Sequence, residues 1–215
     1  MKELVLRLET EKDRLQVEEL TREAFWNLHG PGCDEHLLIH HLRKSEYFVK
    51  DLDFVATLDH KIIGHIAYVE AKIKDVEKEY GILTFGPLSV LPAYHGKGVG
   101  TKLVEHTKSL ARDMGYKAIV IYGDPDYYQR FGFKPSKIFN ITNGDGKYPA
   151  ALLVLELYPD ALDGIKGMFD EGVAYQVDQN ELEAFDKKFD GNKEKITDNR
   201  KSQLRFRELV GMEQS

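Results

Sequence analysis

Residues 92–101 read Pro92-Ala93-Tyr94-His95-Gly96-Lys97-Gly98-Val99-Gly100-Thr101. The apolar run Gly81 to Val90 leads into them as a strand, which Pro92 ends. Behind them Leu103, Val104, Thr107, Leu110, Ala111 and Met114 recur at helical spacing, and Gly115 stops that helix. Glycine lets a backbone approach a ligand closely and take conformations that other residues avoid. A helix start leaves several N–H groups unpaired, with the positive end of the dipole behind them. A strand, a glycine loop and a helix start in that order form an anion site matched to a pyrophosphate.

Two nucleotide motifs can be tested against the loop, and both fail. A Walker loop needs Gly-Lys-Ser/Thr, but Lys97 is followed by Gly98. A dinucleotide fingerprint needs Gly-x-Gly-x-x-Gly in a first strand–helix unit, but the glycines here are Gly96, Gly98 and Gly100 in mid-chain.

Outward from the loop, Val5-Leu6-Arg7-Leu8 reads as a first strand, and Thr10 is the expected cap of a helix carrying Leu15, Leu20, Ala24 and Phe25. Gly30-Pro31-Gly32 breaks it, and Asp34 opens a second helix. Phe54 to Leu58 and Ile62 to Ile73 read as strands joined at Asp59-His60-Lys61. Beyond the loop helix, Ala118 to Tyr122 is a buried strand and Asp126 to Phe131 a short helix. Phe133 onward returns as strand, and Ala151 to Leu157 is expected to be the last one. These elements predict an α/β (α+β) domain around one mixed sheet. From about Ala174 charges dominate, with Leu182, Phe185 and Phe189 on one helical face. The expected division is a domain over residues 1–175 and a charged, helical extension over 176–215. The extension reads as docked on the domain or on a partner, with a lid over the substrate as the sharper alternative.

The spacing of His95, Gly98 and Gly100 resembles the acyl-CoA motif of GNAT-type N-acetyltransferases, Gln/Arg-x-x-Gly-x-Gly/Ala, with His95 a departure at the first position. The strand Gly86-Pro87-Leu88-Ser89-Val90-Leu91-Pro92 resembles the one whose backbone pairs with pantetheine in that family. Gly123-Asp124-Pro125-Asp126-Tyr127-Tyr128-Gln129-Arg130-Phe131-Gly132-Phe133 resembles a bacterial branch of predicted N-acetyltransferases. So do Ala24-Phe25-Trp26, Glu35 with Leu42-Arg43, Gly64-His65-Ile66, and Leu155-Glu156-Leu157 with Gly164 and Gly167. The resemblance runs to about Tyr175 and leaves the charged tail outside.

The resemblance implies a central, V-splayed mixed sheet flanked by helices. It also implies direct transfer of acetyl from acetyl-CoA to an amine. The implied cofactor contacts are Leu88, Ser89, Val90, His95, Gly96, Lys97, Gly98, Val99, Gly100, Thr101, Tyr127 and Arg130, with an oxyanion donor at a backbone N–H near Val90. Tyr128 matches the position that protonates the leaving sulfur, and packing beside CoA is its other reading. A phenol remains protonated at neutral pH and can donate to a thiolate. Tyr127 is expected to point elsewhere on the helix. No carboxylate occupies Leu83-Thr84-Phe85-Gly86, where some relatives carry a base, so Glu35, His65, Glu70 and a water chain stay open for that role.

Composition bounds the rest. The chain has 215 residues and a formal net charge of −6, which argues against a general nucleic-acid binder. Cys33 is the only cysteine, so no intrachain disulfide forms. Charges in the first nine residues interrupt any signal-peptide core, and no apolar stretch reaches membrane-spanning length. The expectation is a cytoplasmic enzyme, away from membranes. His36 and His40 have the spacing of a helical metal pair but no completing ligands, so a polar face is expected and no metal. The acceptor is a small-molecule amine or a protein amine, and a homodimer stays open. A non-catalytic acyl-CoA sensor and transfer of a longer acyl chain are the competing functions.

Overall fold

A computed structural model of the chain describes residues 3–172, 178–189 and 200–214. Strands β1 (Leu4–Leu8), β2 (Phe54–Leu58), β3 (Lys61–Lys74) and β4 (Glu79–Val90) run antiparallel in chain order. Strand β5 (Ala118–Tyr122) is parallel to β4, and β8 (Leu152–Glu156) and the two-residue β6 (Lys134–Pro135) complete the order β1-β2-β3-β4-β5-β8-β6. This is the expected mixed sheet. Helices α1 (Arg14–Phe25), α2 (Glu35–Leu42), α3 (Val99–Asp113) and the short α4 (Pro125–Tyr128) flank it.

Why these residues form these elements is mostly visible in their burial. Four of the five residues of β5 are buried, as a run apolar on both faces requires. Helix α3 buries Val99, Gly100, Leu103, Val104, Thr107 and Ala111 and exposes its charged side. It lies directly on β3. A Cβ at Gly64 would sit 2.8 Å from Val99 Cγ1 and 3.1 Å from Leu103 Cδ1, so only glycine permits that approach. Gly115, at φ +86°, follows the helix as read.

Sequence reasoning erred at three places in the fold. Thr10 does not cap α1. The helix begins after Asp13, whose carboxylate turns back to accept from the Thr10 backbone N–H at 2.9 Å and from Arg7 at 2.7 and 2.8 Å. Strand after Phe133 is limited to Lys134–Pro135, because a one-turn helix over Ser136–Phe139 interrupts it. Leu152–Glu156 is not the last strand. β7 (Ile141–Thr142) and β9 (Gly167–Asp170) pair with each other, and β9 also adds to the far end of β3. Both are too short to show a period of two.

The tail carries helices α5 (Gln179–Asp186) and α6 (Arg200–Gly211). Phe185 and Phe189 are buried against Leu37 of α2, with Leu182 beside them. Arg22 of α1 donates to Asp186 at 2.6 Å, and a charged bond that is largely shielded from water is stronger than a surface pair.

Candidate functional site

The site begins with a fault in the sheet. β4 and β5 pair at Leu83 and Ile119 and nowhere beyond. The β3–β4 register shifts between Ile66 and Tyr68, where β4 carries one extra residue at Gly86-Pro87, a cis peptide. A bulge bends its strand and increases its twist, so β4 turns away from β5. The edge of β4 from Thr84 to Val90 is left facing a cleft of about 800 Å3.

At one end of the cleft lies the glycine loop. Gly96 and Gly98 have φ of +71° and +78°, left-handed values that a side chain would strain. The first helical bond runs from the Lys102 N–H to the Gly98 carbonyl at 3.0 Å. The N–H groups of Val99, Gly100 and Thr101 therefore precede any intrahelical partner, at the positive end of α3. His95, Gly96, Gly98, Val99, Gly100 and Thr101 all line the cleft. His95 Nε2–H donates to the Val90 carbonyl at 2.8 Å and ties the loop to β4.

Leu88 and Val90 also line the cleft. Ser89 alternates to the opposite face, where its hydroxyl lies 2.9 Å from that of Thr21 on α1. Lys97 lies outside the cleft lining, with its ammonium 5.0 Å from the Tyr94 ring centroid. Arg130 lines the cleft and its guanidinium stacks on Tyr127, 4.7 Å from the centroid. Tyr127 does not point elsewhere. A Cβ on Gly100 would lie 2.7 Å from the Tyr127 hydroxyl, which places that phenol over the start of α3. The short helix turns after one turn, so both adjacent tyrosines reach the same cleft, with ring centroids 4.9 Å apart.

Tyr128 stands where β4 and β5 separate. Its ring packs on Phe133 at 5.6 Å and Phe85 at 5.8 Å. A Cβ on Gly123 would fall 2.4 Å from that ring, so the glycine opening the motif makes room for the tyrosine. The hydroxyl has no hydrogen-bond partner among the described residues. Burial pushes the phenol well above its usual pKa, so it holds its proton at all ordinary pH.

Of the three candidate bases only Glu35 lines the cleft, and His29 Nδ1–H donates to it at 3.1 Å. His65 is fully buried with Nε2–H donating to Asp53 at 2.7 Å, and burial lowers its pKa to about 3. Glu70 faces solvent and accepts from the Tyr116 hydroxyl at 2.8 Å. The histidines of α2 do not face a common site. Fully buried His36 lies 3.3 Å from Asp186, whereas His40 donates to Glu18 at 2.9 Å. Glu9, Asp53 and His65 bring ligand atoms within 4.8 Å of one another, but Arg43 already occupies Glu9 with bonds of 2.5 and 2.9 Å.

The cleft also holds residues that sequence reasoning missed: Phe25, His29, Tyr122, Glu171, Arg205 and Phe206. Phe25 and His29 flank the Gly30-Pro31-Gly32 break, and a loop beside a helix end was the available signal. Nothing local marks Glu171 or Arg205, which arrive from beyond the last expected strand.

Residues 50–135 match the acetyltransferase (GNAT) domain family. An uncharacterized N-acetyltransferase of Escherichia coli, YhbS, is 28% identical over 168 residues, covering 78% of this chain and 95% of that protein. The crystal structure of Escherichia coli YhbS in complex with CoA superposes with a TM-score of 0.70 at 26% identity, over 81% of this chain and 93% of that one. A GNAT family acetyltransferase from Brucella melitensis, solved with acetyl-CoA, gives a TM-score of 0.66 at 28% identity, over 81% and 99%. Domain match, splayed sheet and glycine loop agree: residues 50–135 carry an acetyltransferase (GNAT) domain, and the chain is similar along most of its length to N-acetyltransferases.

Proposed function

We propose that the chain binds acetyl-CoA in the cleft between β4 and β5 and transfers its acetyl group to a primary amine. The observation that carries this reading is convergence. The unpaired N–H groups at the start of α3, the free edge of β4 and the Tyr128 hydroxyl all face one cleft. The N–H groups of Val99, Gly100 and Thr101 suit the pyrophosphate, with Gly96 and Gly98 allowing close approach. Leu88 and Val90 suit the pantetheine arm, and Ser89 contributes through its backbone alone. Arg130 stands at the cleft for a phosphate, and Lys97 lies on its outer rim. YhbS and the Brucella melitensis protein hold CoA and acetyl-CoA.

Acetyl-CoA supplies an activated acyl carbon whose transfer to nitrogen releases a thiol. The chain's own residues then have two proton tasks. Tyr128 gives a proton to the departing sulfur: its hydroxyl holds a proton and has no competing partner among the described residues, although burial also makes it a weaker acid. Glu35, held by His29, takes the proton lost by the attacking amine. Both residues line the same cleft. We place the acetyltransferase unit in residues 1–175, with 176–215 as an added element, and the reaction in the cytoplasm. No helix among the described residues is long and apolar enough to cross a membrane.

The test is thiol release from acetyl-CoA across an amine panel, with acetyl-CoA affinity measured by calorimetry. Affinity in the micromolar range with amine-dependent thiol release is expected. Tight binding with no release for any amine favours a sensor, and absent binding removes the assignment.

A further inference from the structure

One side of the cleft is walled by α6. Helix α6 contributes Arg205, Phe206 and Leu209 to the cleft lining. Two latches hold it. At the first, Arg205 Nε lies 2.6 Å from Asp124 Oδ2, and Nη2 lies 3.0 Å from Asp124 Oδ1 and 2.5 Å from Asp126. The guanidinium keeps the Asp124 carboxyl below the usual carboxylate range, so the latch is ionised at neutral pH. At the second, the Ala151 N–H donates to the Leu209 carbonyl at 3.0 Å and the Ala150 N–H to that of Met212 at 2.7 Å. Gln214 completes it, its side-chain amide donating to the Pro149 and Leu152 carbonyls at 2.7 and 2.8 Å. Between the latches the Phe206 ring stacks on His29, with centroids 4.5 Å apart. That contact joins α6 to the connection between α1 and α2.

We propose that α6 is the acceptor-side wall of the active cleft and restricts the acceptor to a small primary amine with an apolar or aromatic body. The inference rests on the acetyltransferase reading above. A lysine side chain or a protein N-terminus can react here only if the polypeptide behind it can leave the cleft, and an extended chain needs about 3.3 Å of open path per residue. Here Phe206–His29 and Arg205–Asp124 close the walls on each other. The space left is bounded by Phe25, Leu28, Phe206 and Leu209, which bury an apolar body and offer no peptide partner. Arg205 is neutralised by two aspartates, whereas Glu171, in the same cleft, has no ion pair or hydrogen bond with another described residue. Burial and Asp170 raise the pKa of the Glu171 carboxyl, and an incoming ammonium group would offset that rise by pairing with it.

The experiment measures thiol release from acetyl-CoA by the full chain with phenethylamine and with a short lysine-containing peptide bearing a free N-terminus. Arg205→Ala and the bulkier Phe206→Trp are measured beside the wild type, with acetyl-CoA affinity and thermal unfolding recorded for each. The wild type should turn over the amine and spare the peptide. Phe206→Trp narrows the pocket and should raise KM for phenethylamine about tenfold, and Arg205→Ala should shift the peptide-to-amine ratio about tenfold toward the peptide. Acetyl-CoA affinity should stay within about twofold in both, since neither side chain reaches the glycine loop. A wild type that prefers the peptide overturns the proposal. So do variants that leave both the KM and the ratio unchanged, and so does silence of the amine while acetyl-CoA binds normally. Failure of the wild type to bind acetyl-CoA sinks the acetyltransferase reading instead. If Arg205→Ala unfolds, Phe206→Trp decides alone.

Discussion

His95 Nε2 lies 2.8 Å from the Val90 carbonyl oxygen, so the residue opening the glycine loop is bonded to the last residue of β4. The loop and the strand edge are the two surfaces expected to meet one ligand, and this bond fixes their spacing. His95→Ala should weaken acetyl-CoA binding about three- to tenfold while thermal stability changes little, because the bond is exposed and supports only the loop. His95→Gln can donate from its amide and should recover most of the affinity. Calorimetry on both variants checks this, and equal affinities for the two would show that the tether is idle.

Gly98 occupies a left-handed backbone position at the threshold of α3, at φ +78°. Gly98→Asp adds both strain and a negative charge where the pyrophosphate is expected. Acetyl-CoA affinity should fall by about a hundredfold or more, with circular dichroism unchanged. Retention of affinity would move the phosphate site elsewhere.

Tyr128→Phe keeps the ring contacts with Phe85 and Phe133 and deletes only the hydroxyl. If that hydroxyl supplies the proton, kcat should drop about 10²-fold or more with acetyl-CoA Kd nearly constant. The raised phenol pKa has a further consequence. Ionisation of Tyr128 lies far above neutrality, so the rate should show no loss from this group as pH rises through 9 to 10, the ordinary tyrosine range being about 10. A variant that binds weakly but turns over normally at saturation would make Tyr128 an anchor.

Gly64→Ala drives a methyl group to within 2.8 Å of Val99 at the base of α3. The helix must shift away from β3 or the side chains must leave their rotamers, at a cost of about 1–3 kcal/mol. Because α3 carries the loop, acetyl-CoA affinity should fall together with Tm. A stability loss without a change in affinity would separate the loop from the packing beneath it.

His65 is buried neutral, with its pKa lowered to about 3 against an ordinary 6.5, and the Asp53 bond holds its Nε2–H. As pH falls below 6.5 the unfolded chain takes a proton that the folded chain refuses. This group's contribution is therefore complete at neutral pH and declines on acidification, by about 1.4 kcal/mol per pH unit at most. Glu9, raised to about 7 by burial and by Asp53, acts with the opposite sign in part of the same range. His65→Gln removes the histidine's titration and also changes that of Glu9, because each of the two shifts the other's pKa. Denaturant unfolding between pH 4.5 and 7 should show a steeper acid loss in the wild type, and parallel curves would mean that His65 titrates normally.

Much of the site was legible in the sequence because it is built from consecutive residues. A strand, the glycines and a helix start lie within Gly81 to Ala111, and the donors they offer are backbone N–H groups, so His95 could replace the usual first residue of the motif without obscuring it. Gly123 and Tyr128 were legible for a similar reason: the glycine makes room for the ring a few residues away. What the sequence by itself determined is therefore the local part, namely the mixed sheet, the loop on α3 and the tyrosine near it. Only the tertiary structure decided the rest. It turned the Ser89 side chain toward α1, separated Glu35 from His65 and Glu70, and brought Glu171 and α6 to the cleft. Arg205 meets Asp124 across 81 residues of chain. No period or spacing encodes such a contact, since it depends on where the sheet splays and on which buried faces the tail can reach.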